Sequence, residues 1–273
     1  MRHFSSNQFG FGLVNYFSRN LDNILVGKFF GAEALGNYGK SYQMLTYPNT
    51  ILTNIITPVI QPILARHQDN VPLIRNVYSK VLRLLLLIGV PLSFFSMYKC
   101  ISFNNFFYLV INGIRPLLHF VFLSIVVWTQ IVGATNGSIF QARDKTKYLF
   151  RTGICSTVLI VSGIFFGIFL GNISKLAMVL SIVFFINFLF SFWMLSRFAL
   201  NTNLWFVIKI LIKPFLLSIL PTAASLAWII FGINPSSNFF QLVINTFIFG
   251  IVFLIETWRT GDIKFVMNFI KKE

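Results

Sequence analysis

The densest chemistry in the chain lies between Asn15 and Asn23, where Asn15, Ser18, Arg19, Asp22 and Asn23 interrupt an apolar run from Phe9 to Tyr38. On a helix these five share a stripe about 140° wide, with Leu13, Phe17, Leu21 and Leu25 elsewhere on the circumference. The run is long enough to cross a bilayer, which takes roughly 20 residues. An ionisable group in such a span costs roughly 2.5–3.5 kcal/mol on insertion scales, so it faces protein or water. Two readings follow. Arg19 and Asp22, spaced i,i+3, neutralise each other between helices, or they belong to a hydrated cavity. The accompanying amides and hydroxyl favour the cavity, because an ion pair alone does not need them.

A second polar stripe lies between Thr46 and Gln61. Thr46, Thr50, Thr53, Asn54, Thr57 and Gln61 project within roughly 100° of one another. Pro48, Pro58 and Pro62 in the same stretch remove backbone donors, which a cavity or a neighbouring helix can compensate. The competing reading is that the hydroxyls bond back to their own helix. Further on, Gln130, Gly133, Ala134, Gly137 and Gln141 share one side; small residues there permit close helix packing or leave room for a ligand. The basic run Arg143, Lys145, Lys147 and Arg151 is placed to hold anionic headgroups or a pyrophosphate, and equally to fix topology.

Covalent chemistry has little to work with. The chain contains seven acidic residues, and no carboxylate pair, Ser-His-Asp order, phosphate-binding glycine loop or metal-ligand cluster is legible. No enzyme activity, cofactor or metal is expected. His67 sits in a polar loop beside Arg66 and Asp69, and His119 has Asn112 and Arg115 nearby but no carboxylate close in sequence. Cys100 and Cys155 show neither disulfide-framework nor metal-ligand spacing.

The elements that must position these residues are membrane helices. Across 273 residues the chain is 56% hydrophobic and 17% aromatic, with a mean hydropathy of +0.77, far too apolar for an ordinary soluble domain. Runs of spanning length predict an all-α polytopic bundle with about eight transmembrane helices, near 8–30, 41–65, 79–98, 116–135, 148–170, 174–198, 205–231 and 238–257. Short intervals make sequence neighbours antiparallel. A short surface helix is expected to start near Pro72. Spans five to eight read as scaffold and lipid-facing surface, with Trp193, Trp205, Trp228 and Trp258 near span ends. Residues 1–273 form a single membrane domain, of which 258–273 is a basic amphipathic tail on the cytoplasmic surface.

The net charge of +15 is spread over short loops rather than gathered in one patch, which argues against nucleic acid. With both termini cytoplasmic, the inner side collects the basic residues from Arg66 to Arg83, Arg143 to Arg151, Arg197 to Lys213 and Arg259 onward, while the outer side gets Lys28, Lys40, Lys99 and Lys175. That asymmetry suits an even number of spans. Met1-Arg2-His3 and Ala32-Glu33-Ala34 imitate parts of a signal peptide, but Arg19 and Asp22 interrupt the apolar region it would need. An uncleaved amino terminus is expected.

The runs NYFSRNLDNILVGKFFGAEALGNYGKSYQM, ITPVIQPILARHQDN and WTQIVGATNGSIFQARDKTKYLFRTG closely resemble the Wzx-like oligosaccharide flippases of the multidrug/oligosaccharidyl-lipid/polysaccharide export superfamily. The likeness is specific over Phe9–Asn70 and Trp128–Gly153. It implies transport of undecaprenyl-pyrophosphate-linked repeat units across the bacterial inner membrane, for O-antigen, lipopolysaccharide or exopolysaccharide, by alternating access. It implies that Arg19 holds the pyrophosphate or an acidic sugar, that Asp22 tunes it, and that Asn15, Asn23, Thr53, Asn54 and Gln61 meet sugar hydroxyls; Gln130 belongs to the same cavity. That family is built from two pseudo-symmetric bundles, and this chain resembles the carboxyl-terminal one alone. A truncated or split product needing an amino-terminal partner or a homo-dimer is therefore expected, with lipid-linked oligosaccharide and membrane lipids as the other partners. Tyr98 to Phe120 departs from the family's usual outer loop, as a local frameshift would produce. The alternatives are a drug/cation exporter of the same superfamily, for which Asp22 is the one candidate coupling carboxylate, and a non-transporting scaffold of a polysaccharide synthesis complex.

Overall fold

The computed structural model describes residues 2–102, 118–231 and 238–271, and at some helical positions within them only the backbone. Ten helices occupy these residues: α1 (Arg2–Ala65), α2 (Val71–Ser102), α3 (Leu118–Ile125), α4 (Val127–Gly133), α5 (Asn136–Ala142), α6 (Thr146–Phe169), α7 (Ile173–Phe198), α8 (Trp205–Phe231), α9 (Asn238–Arg259) and α10 (Asp262–Lys271). No strand is present among them. The departing segment Tyr98–Phe120 and the neighbours of His119 lie largely outside the described residues.

Helix α1 is two arms, not one rod. Gly31 breaks it at φ 86° and ψ 175°, a left-handed backbone that a side chain would strain. The Tyr38 hydroxyl donates to Asp22 Oδ2 at 3.0 Å across 16 residues, a separation that a straight helix would stretch to roughly 24 Å. The arms therefore double back into a hairpin. A Cβ placed on Gly27 would lie 3.0 Å from the Leu35 side chain, so the two arms are in close contact near the turn. Two antiparallel spans were expected here with a connection over 31–40. The helices instead run on to a single-residue turn, because the glycine lets the chain reverse without a loop.

Two further boundaries differ from expectation. The surface helix near Pro72 is not separate; it is the first turn of α2, capped by Asn70 Oδ1 accepting the Leu73 N–H at 3.1 Å. The fourth span is broken into α3, α4 and α5 and runs on to Ala142. At the first break the Trp128 N–H donates to Ser93 Oγ on α2 at 3.0 Å, so a neighbouring helix satisfies a backbone group that the break exposes.

Among the described residues four helices are long and apolar enough to span a membrane by themselves: Val71–Tyr98, Thr146–Phe169, Ile173–Phe198 and Trp205–Ile230. Val243–Arg259 meets the same test only when joined to Asp262–Asn268, and the 84° bend between them turns α10 across the end of α9 rather than along it. The chain is thus a multi-pass, all-helical membrane protein. The remaining spans of the predicted set, in α1 and α3–α5, carry the polar stripes.

Helices α6 and α7 form a hairpin through Gly171, at φ 70°, and α1 packs on α6. The broken rod α3–α5 fills the centre, α2 packs on it, and α8 and α9 continue outward from α2. Trp128 sits in the middle of the core, its ring 4.8 Å from Phe188 and 5.2 Å from Phe215, both edge-on. Trp193, Trp205 and Trp258 are exposed near helix ends, as interfacial anchors are, whereas Trp228 is half-buried.

One end of the bundle gathers the connections 66–70, 143–145 and 199–204. Arg75 Nη2 donates to Leu200 O at 2.8 Å and Asn201 O at 2.9 Å. Arg143 Nε donates to Ala199 O at 3.1 Å, and its Nη1 donates to Gln68 O. Alternating antiparallel spans put these three connections on one face, and the arginines fasten them together.

Candidate functional site

A cavity of about 350 Å³ opens between α1, the α4–α5 break, α6 and α7. From α1 come Asp22, Tyr42, Asn49, Thr50, Thr53 and Asn54; from the broken rod, Thr129, Gln130, Gly133, Ala134, Asn136 and Gly137. Helix α6 adds Thr152, Gly153, Ser156, Thr157 and Ile160, and α7 adds Leu180, Phe184, Asn187, Phe188 and Ser191. Hydroxyls and amides dominate this wall, and Asp22 is its one ionisable carboxyl among the described residues.

Of the residues singled out in the sequence, Asp22, Thr53, Asn54 and Gln130 meet in this wall. Asn23 and Gln61 do not. Asn23 follows Asp22 and gives its backbone N–H to Asp22 Oδ1 at 2.8 Å; Gln61 lies nearly two turns beyond Asn54, past the end of the lining. The side chains of Asn15 and Arg19, and with them the Arg19–Asp22 pair, lie outside the described residues. Asp22 itself is buried and held by Tyr38. The back-bonding reading of the second stripe holds for part of it: Thr46 Oγ1 and Thr50 Oγ1 donate to Gln43 O and Thr46 O, each at 3.1 Å. Thr53 Oγ1 instead donates to Asn49 Oδ1 at 3.0 Å.

Sequence reasoning missed the far wall. Spans five and six were expected to be scaffold, yet α6 and α7 supply Thr152, Ser156, Thr157, Asn187 and Ser191. The signal was present at helical spacing, Thr152 with Ser156 and Asn187 with Ser191, but it is diluted by the isoleucines and phenylalanines around it. Behind this wall the polar groups are cross-linked. Tyr78, fully buried on α2, donates to Asn136 Oδ1 at 3.1 Å, and Asn136 Nδ2 lies 3.4 Å from Ser191 Oγ. Asn187 Oδ1 is buried without a hydrogen-bond partner.

Within the basic run the four residues differ in their surroundings. Arg143 is committed to the carbonyls of Ala199 and Gln68, as a clamp between connections. Arg151 is exposed, with its guanidinium 5.9 Å from the Tyr148 ring, and Tyr148 stacks on Phe198 at 4.3 Å. Lys147 is exposed and Lys145 half-buried. These two lysines and Arg151 are the members still available to an anion.

The tail carries a feature that the sequence did not reveal. Asp262, fully buried at the start of α10, accepts from Arg83 of α2, from Lys213 Nζ of α8 at 2.6 Å and from Thr260 Oγ1 at 2.6 Å. Burial pushes its carboxyl up, but Lys213, Thr260 and Arg83 outweigh that and hold it below the usual carboxylate value. The Arg83 guanidinium also lies 4.5 Å from the Phe265 ring centroid. The tail is amphipathic as expected, but it is riveted to two spans rather than merely resting on the surface.

The family model for polysaccharide biosynthesis proteins matches residues 1–108, which include the hairpin and its share of the cavity. Over that segment the chain is similar to that family. It is 30% identical to the teichuronic acid biosynthesis protein TuaB of Bacillus subtilis (strain 168) over 246 residues, 88% of this chain and 48% of that protein. To the lipopolysaccharide biosynthesis protein WzxC of Escherichia coli (strain K12) it is 28% identical over 214 residues, 77% of this chain and 42% of the relative. An uncharacterized membrane protein in the cps region of Klebsiella pneumoniae is 25% identical over 158 residues. The chain thus spans about half the length of these two curated relatives. No solved structure matches it.

Proposed function

We propose that this bundle is one lobe of a flippase that moves undecaprenyl-pyrophosphate-linked oligosaccharide repeat units from the inner to the outer leaflet of the bacterial inner membrane. The observation that carries the reading is the hydroxyl- and amide-rich cavity between α1 and α7, in a chain whose residues 1–108 match the polysaccharide biosynthesis family model. Sugar hydroxyls need such a lining inside a bilayer, where no bulk water replaces a lost hydrogen bond. Thr53, Asn54 and Gln130 contact the sugar, Arg19 and Asn15 extend the site along the first arm, and Lys145, Lys147 and Arg151 attract the anionic pyrophosphate at the cytoplasmic face. Both termini are cytoplasmic. Transport proceeds by rocking against a second lobe, supplied by further sequence, a partner or a second copy, and breaks no covalent bond.

The test is a strain deleted for this gene, complemented with the natural gene or with an Asn54→Ala/Gln130→Ala variant of equal membrane abundance. Lipid-linked repeat units should accumulate on the inner leaflet and surface polymer should fall at least about ten-fold, a loss equivalent to one or two hydrogen bonds. Unchanged polymer would rule the cavity out. The exporter alternative rests on Asp22, the one carboxylate in the described wall; proton- or sodium-dependent drug efflux, abolished in Asp22→Asn with polymer unaffected, would select it. Polymer loss without inner-leaflet accumulation would select the scaffold.

A further inference from the structure

The cavity wall contains one tyrosine, Tyr42, and its ring is held from behind. Tyr42 stacks on Tyr38 with ring centroids 5.8 Å apart and planes 19° apart. Tyr38 is fully buried and donates its hydroxyl to Asp22 Oδ2 at 3.0 Å. Asp22 in turn takes the Asn23 N–H on its other oxygen at 2.8 Å. The three side chains thus form a relay across the α1 hairpin that fixes the plane of a ring in the cavity wall. Across the cavity, Asn187 presents a buried oxygen with no hydrogen-bond partner among the described residues, an acceptor that a ligand donor would satisfy.

A flat ring on the α1 side of a cavity rich in amides and hydroxyls, with the apolar Ile160, Leu180, Phe184 and Phe188 on the far side, matches the two-sided chemistry of a sugar. A pyranose ring presents C–H bonds, slightly positive, on its face, and these pack on the negative face of an aromatic ring. Its hydroxyls point outward in the ring plane, toward donors and acceptors such as those of Asn54, Gln130 and Asn187.

We propose that Tyr42 is the stacking platform for an uncharged pyranose of the substrate, that Asn187 accepts from one of its hydroxyls, and that Tyr38 and Asp22 are positioning residues that set the platform's plane. The proposal rests on the carbohydrate reading of the cavity. It makes the Asp22–Tyr38 pair part of the binding geometry without contact between Asp22 and sugar.

The experiment is saturation-transfer NMR on the full-length protein in lipid nanodiscs, with methyl β-glucopyranoside as the neutral probe and glucuronate as the acidic one. Each variant is first checked for helicity and monodispersity. Tyr42→Phe keeps the ring and should hold neutral-probe affinity within about two-fold, whereas Tyr42→Leu should lose about ten-fold. Asp22→Asn retains an acceptor for Tyr38 and should bind like the natural protein; Asp22→Leu and Tyr38→Phe, which break the relay, should weaken binding about three-fold or more. Binding that survives in Tyr42→Leu but falls in Asn54→Ala would overturn the platform while leaving the carbohydrate cavity standing. A stronger response to glucuronate than to the neutral probe would overturn the assignment of an uncharged sugar. No transfer from either probe to the natural protein would overturn both the carbohydrate reading and the platform.

Discussion

Asp22 and Asp262 are both buried carboxylates, 4% and 0% exposed, but their partners differ in kind. Asp262 lies at the rim of the bundle and is neutralised by Arg83 and Lys213, whose side chains are 36% and 41% exposed. Asp22 lies within the first arm, and its described partners are a phenol and a backbone N–H. Near the surface, cations keep much of their hydration while they bind, so ionic fastening is cheap there. In the interior the hairpin is pinned by dipoles. The protein thus separates fastening from binding: strong charges lock its rim, and neutral polar groups furnish its cavity.

The sharpest way to break this comparison is Asp262→Ala. It strands two cations and frees α10, and the exposure of Arg83 and Lys213 lets water recover part of the loss. We expect about 1–3 kcal/mol of destabilisation, read as a lower midpoint in thermal unfolding of the detergent-solubilised protein. Asp22→Leu comes next. It leaves the buried Tyr38 hydroxyl without an acceptor, at about 1–2 kcal/mol, while Asp22→Asn should cost less than about 1 kcal/mol because the amide oxygen still accepts. Equal losses for Asp22→Asn and Asp262→Asn in the same assay would erase the distinction.

Acidification tests the Asp262 rivet. Because the folded state holds the Asp262 carboxyl below its unfolded value of about 3.9, its contribution is fully present above that value. As the pH falls below about 4 and through the folded pKa, the carboxylate protonates and the contribution disappears. The midpoint of the natural protein should therefore drop more steeply than that of Asp262→Asn as the pH falls below about 4; parallel curves would refute the rivet. The smallest effect is expected for Arg259→Ala. Its pair with Glu256, at 3.3 Å, is 69% exposed on the arginine side, so stability should stay within about 0.5 kcal/mol.

Much of this was readable in the chain because a bilayer forces long, periodic helices. Helices α6 to α9 fall on the expected intervals, and the two polar stripes of α1 led to Asp22, Thr53 and Asn54. What could not be read was pairing over distance. Asp262 meets Arg83 across 179 positions, and nothing in an amphipathic tail says which of its charges faces inward. Gln61 obeyed the stripe yet fell outside the cavity, since periodicity gives a direction but not how far along the helix the neighbouring wall extends. Thr152 and Ser156 were hidden for the opposite reason, being too few to mark a face in a span rich in isoleucine and phenylalanine. Arg143 looked like an anion site because a guanidinium's charge is visible in sequence, while the carbonyls of Ala199 and Gln68 that absorb it are not.

The tight contact at the far end of α6 and α7 bears on how such a lobe can move. A Cβ on Gly167 would fall 2.5 Å from Leu176 Cδ1 and 2.9 Å from Leu176 Cα, a backbone atom that cannot rotate aside, so no side chain from α6 fits between the two helices there. Sliding one past the other would drive main chain into main chain. They travel as one plank, and any opening of the cavity has to come from the opposite side, where the hairpin bent at Gly31 leans on that plank through the methyl groups and hydroxyls of its own face.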